Sequence, residues 1–122
     1  MIADLGYVTV ATPGTLVQAT ININTGSPQM PFTRGYYPCH GILFQAYSSA
    51  SASNVGRIYI LRTGGDKSTG VGLLAVLAIP TANIIGSASF TLTLAEAALD
   101  ASQFFLDADV SMDRCLVSAL VV

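Results

Sequence analysis

The 122-residue sequence predicts a single all-β domain over residues 1–122, an antiparallel β-sandwich of the jelly-roll kind with about eight strands and one short helix. Three observations carry that expectation. Apolar and polar residues alternate strictly in three separate segments, 17–24, 87–94 and 103–110. Successive strand side chains point to opposite faces, so this period marks strands with one buried and one wet side. Turn-forming residues also recur every 8 to 12 residues, the spacing of a two-sheet sandwich or barrel. Helical periodicity is confined to one short piece.

In chain order, Tyr7 to Ala11 reads as a first strand, and Pro13-Gly14 turns it into the next. There Val17, Ala19, Ile21 and Ile23 alternate with Gln18, Thr20, Asn22 and Asn24. Residues 25–39 carry three prolines and two glycines, which forbid regular pairing. His40 to Tyr47 and Val55 to Arg62 read as strands flanking the loop SSASASN. The loop TGGDKSTG leads into Val71 to Ile79, apolar on both faces and so either central in the stack or laid against another subunit. Residues 87–94 form the next alternating strand, and AEAALDAS (95–102) is the one helical piece. In 103–110, Phe104, Leu106, Ala108 and Val110 oppose Gln103, Phe105, Asp107 and Asp109. The turn SMDR then precedes a last strand, residues 115–122.

Composition narrows the function. Hydrophobic residues make up 52% and charged residues 10%, against about 25% charged in an average soluble domain. No charge occurs between Asp4 and Arg34, or between Lys67 and Glu96. So little charge fits lipid or a surface covered by protein. The most apolar stretch, Val71 to Gly86, falls short of the roughly 20 residues a spanning helix needs and is broken by Pro80, Thr81 and Asn83. No membrane segment is expected. The opening MIADLGYVTVATPG lacks a basic region and has Asp4 in its place, so no secretory signal is expected. Five scattered basic residues and a net charge of −2 give no platform for nucleic acid. Protein partners remain, because obligate interfaces are poor in charge.

The residues offer little for catalysis, and no enzyme or cofactor is expected. His40 is the only histidine, so a zinc site on Cys39, His40 and Cys115 would be a ligand short. Cys39 and Cys115 could pair in an oxidising compartment, but without an export signal they read as two reduced thiols. Asp107, Asp109 and Asp113 are the one carboxylate cluster and the one place for a calcium ion or a metal-dependent hydrolase. The plainer reading puts Asp107 and Asp109 on a solvent face and Asp113 in a turn. GGDKSTG has Asp66 where a phosphate loop needs glycine, so it reads as a hydrophilic hairpin. Glu96 and Asp100, at i and i+4, read as the polar face of the short helix. In the 25–39 loop, Met30, Phe32, Arg34, Tyr36 and Tyr37 combine the residue types that anchor interfaces. They read either as a projecting contact or as a loop folded back over one end of the sandwich, with Phe32 and Tyr36 as the plug.

Two segments, YVTVATPGTLVQATININ (7–24) and CHGILFQAYSSASASNVGRIYILR (39–62), resemble a recurring pattern in small structural proteins of tailed bacteriophages. The likeness lies in Val8 to Gln18, Gln45-Ala46 and Asn54 to Ile60, strand and turn residues covering about half the chain. It implies a virion component, foremost a capsid decoration (cement) protein with a jelly-roll-like fold. Such a protein would assemble in the host cytoplasm and sit as a homotrimer on the outer surface of the capsid, clamping the major capsid protein. A head-fibre base, tail part or receptor-binding module is the neighbouring alternative. No functional residue carries over from the resemblance.

Overall fold

The computed structural model describes residues 2–23, 35–49, 53–81, 84, 87–94 and 98–121. Among these residues ten strands follow one another: β1 (Ile2–Val10), β2 (Val17–Gln18), β3 (Pro38–Cys39), β4 (Gly41–Ala46), β5 (Ile58–Asp66), β6 (Val71–Leu77), β7 (Ser89–Thr93), β8 (Leu99–Asp100), β9 (Phe104–Ala108) and β10 (Asp113–Leu120). They form two four-stranded sheets and a two-stranded ribbon, all antiparallel. The first sheet has the order β1-β10-β4-β7, the second β2-β9-β5-β6, and the ribbon is β3-β8.

The pairings nest. β1 pairs with β10, β2 with β9, β3 with β8, β4 with β7 and β5 with β6. The chain is therefore one long hairpin, doubled back at residues 67–70. Two further pairings, β10 with β4 and β9 with β5, roll that hairpin into two sheets.

Between the sheets lies one core. Ile42, Phe44 and Ala46 of β4 and Cys115, Val117 and Ala119 of β10 face Ile58 and Ile60 of β5 and Leu106 of β9, all essentially buried. The Phe44 ring is tilted against Phe104 at 5.9 Å and stacked on Phe90 at 6.4 Å. Truncating so central a ring to Ala typically costs about 3–5 kcal/mol. Buried residues alternate along β4 and β10, so the period-2 reading of these segments carries through to packing.

Several boundaries differ from the sequence reading. β1 starts at Ile2, five residues earlier than Tyr7, because a bulge restores its register: Asp4 faces Ser118 and Gly6 faces Val117, leaving Leu5 over. Gly6 sits there at φ +86°, a conformation glycine adopts without strain. The expected strand over 17–24 pairs only at Val17 and Gln18. Two turns then follow, with Ile21 N–H donating to Gln18 O (3.0 Å) and Ile23 N–H to Thr20 O (2.9 Å). The Asn22 amide donates to Tyr7 O at 2.8 Å, beside the bulge. Ala19 and Ile23 are buried as expected, but Ile21 is exposed.

The expected helix over 95–102 is also corrected. Residues 95–97 lie outside the described residues, and the rest forms β8 and a 3₁₀ turn, Ala101–Gln103. Asp100 decides this. Its carboxylate accepts from Tyr37 N (2.9 Å), Ser102 N (3.0 Å) and Ser102 Oγ (2.7 Å), offering the backbone a competitor to helical bonding.

Candidate functional site

The aromatic loop divides. Met30, Phe32 and Arg34 lie outside the described residues. Tyr36 is 62% exposed, whereas Tyr37 is 3% exposed and belongs to the core. Tyr37 is therefore closed to a partner in the protomer, while of the two residues expected to plug the sandwich Tyr36 is exposed and Phe32 lies outside the described residues. The Tyr37 N–H is held by Asp100, and burial, helped by the nearby Cys39, raises its phenol above the ordinary value.

The carboxylates do not converge as a metal site would require. β9 ends at Ala108, and a turn separates Asp109 from Asp113 at the start of β10. No group of three His, Cys, Asp or Glu residues placed to hold a metal occurs among the described residues. Asp107 and Asp113, expected on a wet face and in a turn, are both buried. The reason is hydrogen bonding. Asp113 accepts Val55 N (3.0 Å) and Gly56 N (2.8 Å), and Asp107 accepts Gly14 N (2.9 Å) and Ala108 N (2.8 Å). A buried carboxylate is tolerable when N–H groups and a cation surround it.

That cation is Lys67. The β5–β6 hairpin turns only at residues 67–70, because β5 runs on through the first half of the expected loop to Asp66, and it carries Lys67 to Asp107 Oδ1 (3.7 Å) and Asp109 Oδ1 (3.9 Å), where its ammonium donates to Ala108 O. Tyr59 lies beneath, its ring centroid 5.4 Å from the ammonium, and its hydroxyl donates to Asp109 Oδ1 at 2.9 Å. Arg57 completes the cluster at 2.9 Å from Asp109 Oδ2. Burial pushes the Asp109 carboxyl up, but the bonds from Arg57 and Tyr59 outweigh it and hold the group below the usual range. A cleft of about 480 Å³ between Gly14, Gly64, Asp66, Lys67 and Asp107 adjoins the cluster. Its charged groups are already engaged with each other and with backbone, so its arrangement is that of a clamp.

The outer face of the first sheet is different. Ile2, Asp4, Tyr7 and Thr9 of β1 lie beside Arg114, Leu116, Ser118 and Leu120 of β10, with Leu43, Gln45 and Tyr47 next. Tyr7 meets Tyr47 edge-on at 4.9 Å, and the Arg114 guanidinium lies 4.0 Å over the Tyr47 ring. Arg114 is fixed from behind as well. Asn54, 5% exposed, donates to Arg114 O (2.6 Å) and accepts from Arg114 N (2.8 Å). A shallow apolar groove of about 170 Å³ continues along the face between Ile2, Leu43, Thr91, Thr93 and Leu120. The sequence reading missed Tyr7, Tyr47 and Arg114. Arg114, expected in the turn SMDR, is instead in β10, and only strand order reveals that the three meet.

A second uncovered region is β6. It is an edge strand, neither central nor covered by a strand among the described residues, with Ala75 and Leu77 turned to the core. Val71, Leu74 and Val76, and Ile79 and Ile84 beyond, are exposed.

No protein-family model, curated protein or solved structure matches the chain.

Proposed function

We propose that this protein is a structural subunit that works by binding other protein subunits: a homo-oligomeric decoration protein on the outer surface of a tailed-phage capsid, held against the major capsid protein. One observation carries the binding part. β6 presents a seven-residue sheet edge with exposed Val71, Leu74 and Val76, inside a stretch without a charge from Ser68 to Ala95. Soluble domains usually blunt such an edge with lysine, proline or a covering loop. An apolar edge with no covering strand among the described residues is suited to a partner strand or surface. The virion assignment adds the phage-like segments Val8 to Gln18 and Asn54 to Ile60. Their counterparts here form the first strand and its turn, and the loop capped by Asp113.

We further read the fold as a jelly roll. The support is the nested pairing of all five strand pairs about residues 67–70, the wind of a long hairpin rolled into two sheets. A fold of this kind leaves sheet edges and outer faces for neighbours, and many modest contacts repeated over a shell add up by avidity.

Two measurements test the reading. Light scattering at micromolar concentration should give a multiple of the 12.6 kDa protomer mass. Gold-labelled antibody against the chain should decorate the head surface of intact virions in electron micrographs. A lone protomer that labels no particle would overturn the proposal.

A further inference from the structure

The outer face of the first sheet carries two charges, and they sit at opposite ends of it. Asp4 is opposite Ser118 in the β1–β10 ladder, and Arg114 is opposite Thr9. Four residues of β10 separate the two levels, roughly 13 Å at the rise of an antiparallel strand. Neither forms an ion pair among the described residues: the salt bridges there join Arg57 and Lys67 to Asp107 and Asp109 on the other sheet. Among the described residues Asp4 Oδ1 receives the Gly6 N–H, at 2.9 Å, and no other donor. Arg114 has its main chain clamped by Asn54 and its guanidinium stacked on Tyr47, with no carboxylate paired to it among the described residues. Midway between them, Leu116 and Tyr7 face each other across the ladder. The pattern is acid, apolar centre, base.

We infer that this face is where two copies of the chain meet, Arg114 of each lying against Asp4 of the other. The inference rests on the homo-oligomer reading above and names its contact. A two-fold axis lying in the interface across the strands at the level of Leu116 superposes one end of the face on the other. It therefore brings each Arg114 over the Ser118–Asp4 end of the opposite copy. One patch used twice is the rule for two-fold interfaces. An apolar middle with charges at the rim is their usual anatomy. Arg114 is also pre-organised, so little side-chain freedom remains to be lost on pairing. A three-fold ring with these strands along its axis would instead gather three Arg114 side chains at one end and three Asp4 at the other. The charge pattern opposes that arrangement and favours the pair.

Sedimentation velocity on the full chain, over a concentration series, tests this with Arg114→Glu, Asp4→Arg and the double exchange. The wild type is expected as a two-protomer species. Each single reversal should raise the dissociation constant at least tenfold by setting like charges together, and the double exchange should restore it to within a few-fold. Far-UV circular dichroism of each variant separates lost association from lost folding, and recovery in the double exchange excludes a folding defect as the cause. If the wild type is oligomeric but the single reversals leave its dissociation constant unchanged, or if its mass is that of three protomers, the contact is wrong while the homo-oligomer reading stands. If the wild type sediments as one protomer, the homo-oligomer reading itself fails and the contact with it.

Discussion

Lys67 Nζ lies 3.7 Å from Asp107 Oδ1, and this ion pair fastens the tip of the β5–β6 hairpin onto the outer face of β9. The Asp107 side chain is 2% exposed and that of Lys67 19%, so water screens the pair only partly. Asp107 also accepts Gly14 N–H, so a single carboxylate joins the β1–β2 turn, the hairpin and β9. The hairpin covers Leu61, an outward-facing residue that is nevertheless fully buried; a Cβ on Gly65 would sit 2.9 Å from it.

Asp107→Ala should therefore be strongly destabilising. It removes one of the two carboxylates beside Lys67, whose ammonium keeps Asp109 and the Ala108 carbonyl, and takes their carboxylate acceptor from the N–H groups of Gly14 and Ala108, at a cost of about 2–4 kcal/mol. Asp107→Asn, which keeps an acceptor for Gly14, should cost about half as much. Urea unfolding midpoints with unchanged slope check both, and an Ala variant within 0.5 kcal/mol of wild type, roughly the ordinary surface effect, would refute the clamp.

Asn54 is the second structural lynchpin. Replacing it with Ala deprives both the N–H and the carbonyl of Arg114 of their carboxamide partner. The carbonyl keeps the Tyr47 N–H at 3.0 Å, so the Arg114 N–H is the group left unmade, and a loss of about 1–3 kcal/mol is expected. Asn54→Asp is the sharper probe. It keeps the shape and the acceptor for Arg114 N–H but turns the donor facing Arg114 O into a second acceptor at 2.6 Å. It should be no more stable than the Ala variant by thermal unfolding, whereas a merely space-filling Asn54 would tolerate Asp.

What could be read from the sequence follows from what periodicity encodes. Alternation reports which side of a strand is buried, and it placed Ala88, Phe104, Leu106 and Ala108 correctly. It is blind to who lies next to whom, so the meeting of Tyr7, Tyr47 and Arg114 and the clamp on Asp107 could not be read. It also failed where a side chain outbid the ladder. Asn22 and Asp100 bond to nearby backbone, so a fine alternating run ends after Gln18 and a helical pattern becomes a strand and a 3₁₀ turn. The 25–39 loop shows a third limit, since adjacent Tyr36 and Tyr37 have the same chemistry and opposite fates.

Acid should loosen the end of the sandwich where Asp100 sits. Burial raises the Asp100 carboxyl, but the N–H groups of Tyr37 and Ser102 and the Ser102 hydroxyl more than offset this and hold it below its ordinary value. A carboxyl lowered in the folded state contributes stability that is full above its unfolded pKa, about 3.9. That contribution drains away as pH falls through the lower folded value. Stability should thus be flat from pH 7 to about 5 and decline below about 4, and Asp100→Asn should show a shallower decline in urea midpoints over that range. An identical acid limb in wild type and variant would remove Asp100 from the cause.

Both cysteines are free and buried, and their chemistry should report on opening of the fold. Burial pushes the Cys115 thiol up to about 12. It also raises Cys39, where the N–H groups of Gly41 and Ala101 pull the other way without prevailing. Only the thiolate attacks a disulfide reagent, so at pH 8 neither residue should react in the native protein. The two should then part company under sub-denaturing urea. Cys39 lies in the two-residue β3–β8 ribbon, whereas Cys115 lies in β10, bonded on both sides to β1 and β4. Short ladders open at lower free energy than central strands. Mass-spectrometric mapping of the labelled thiol should find Cys39 modified first and Cys115 only with global unfolding. Simultaneous labelling would mean that the ribbon and the central sheet open as one unit.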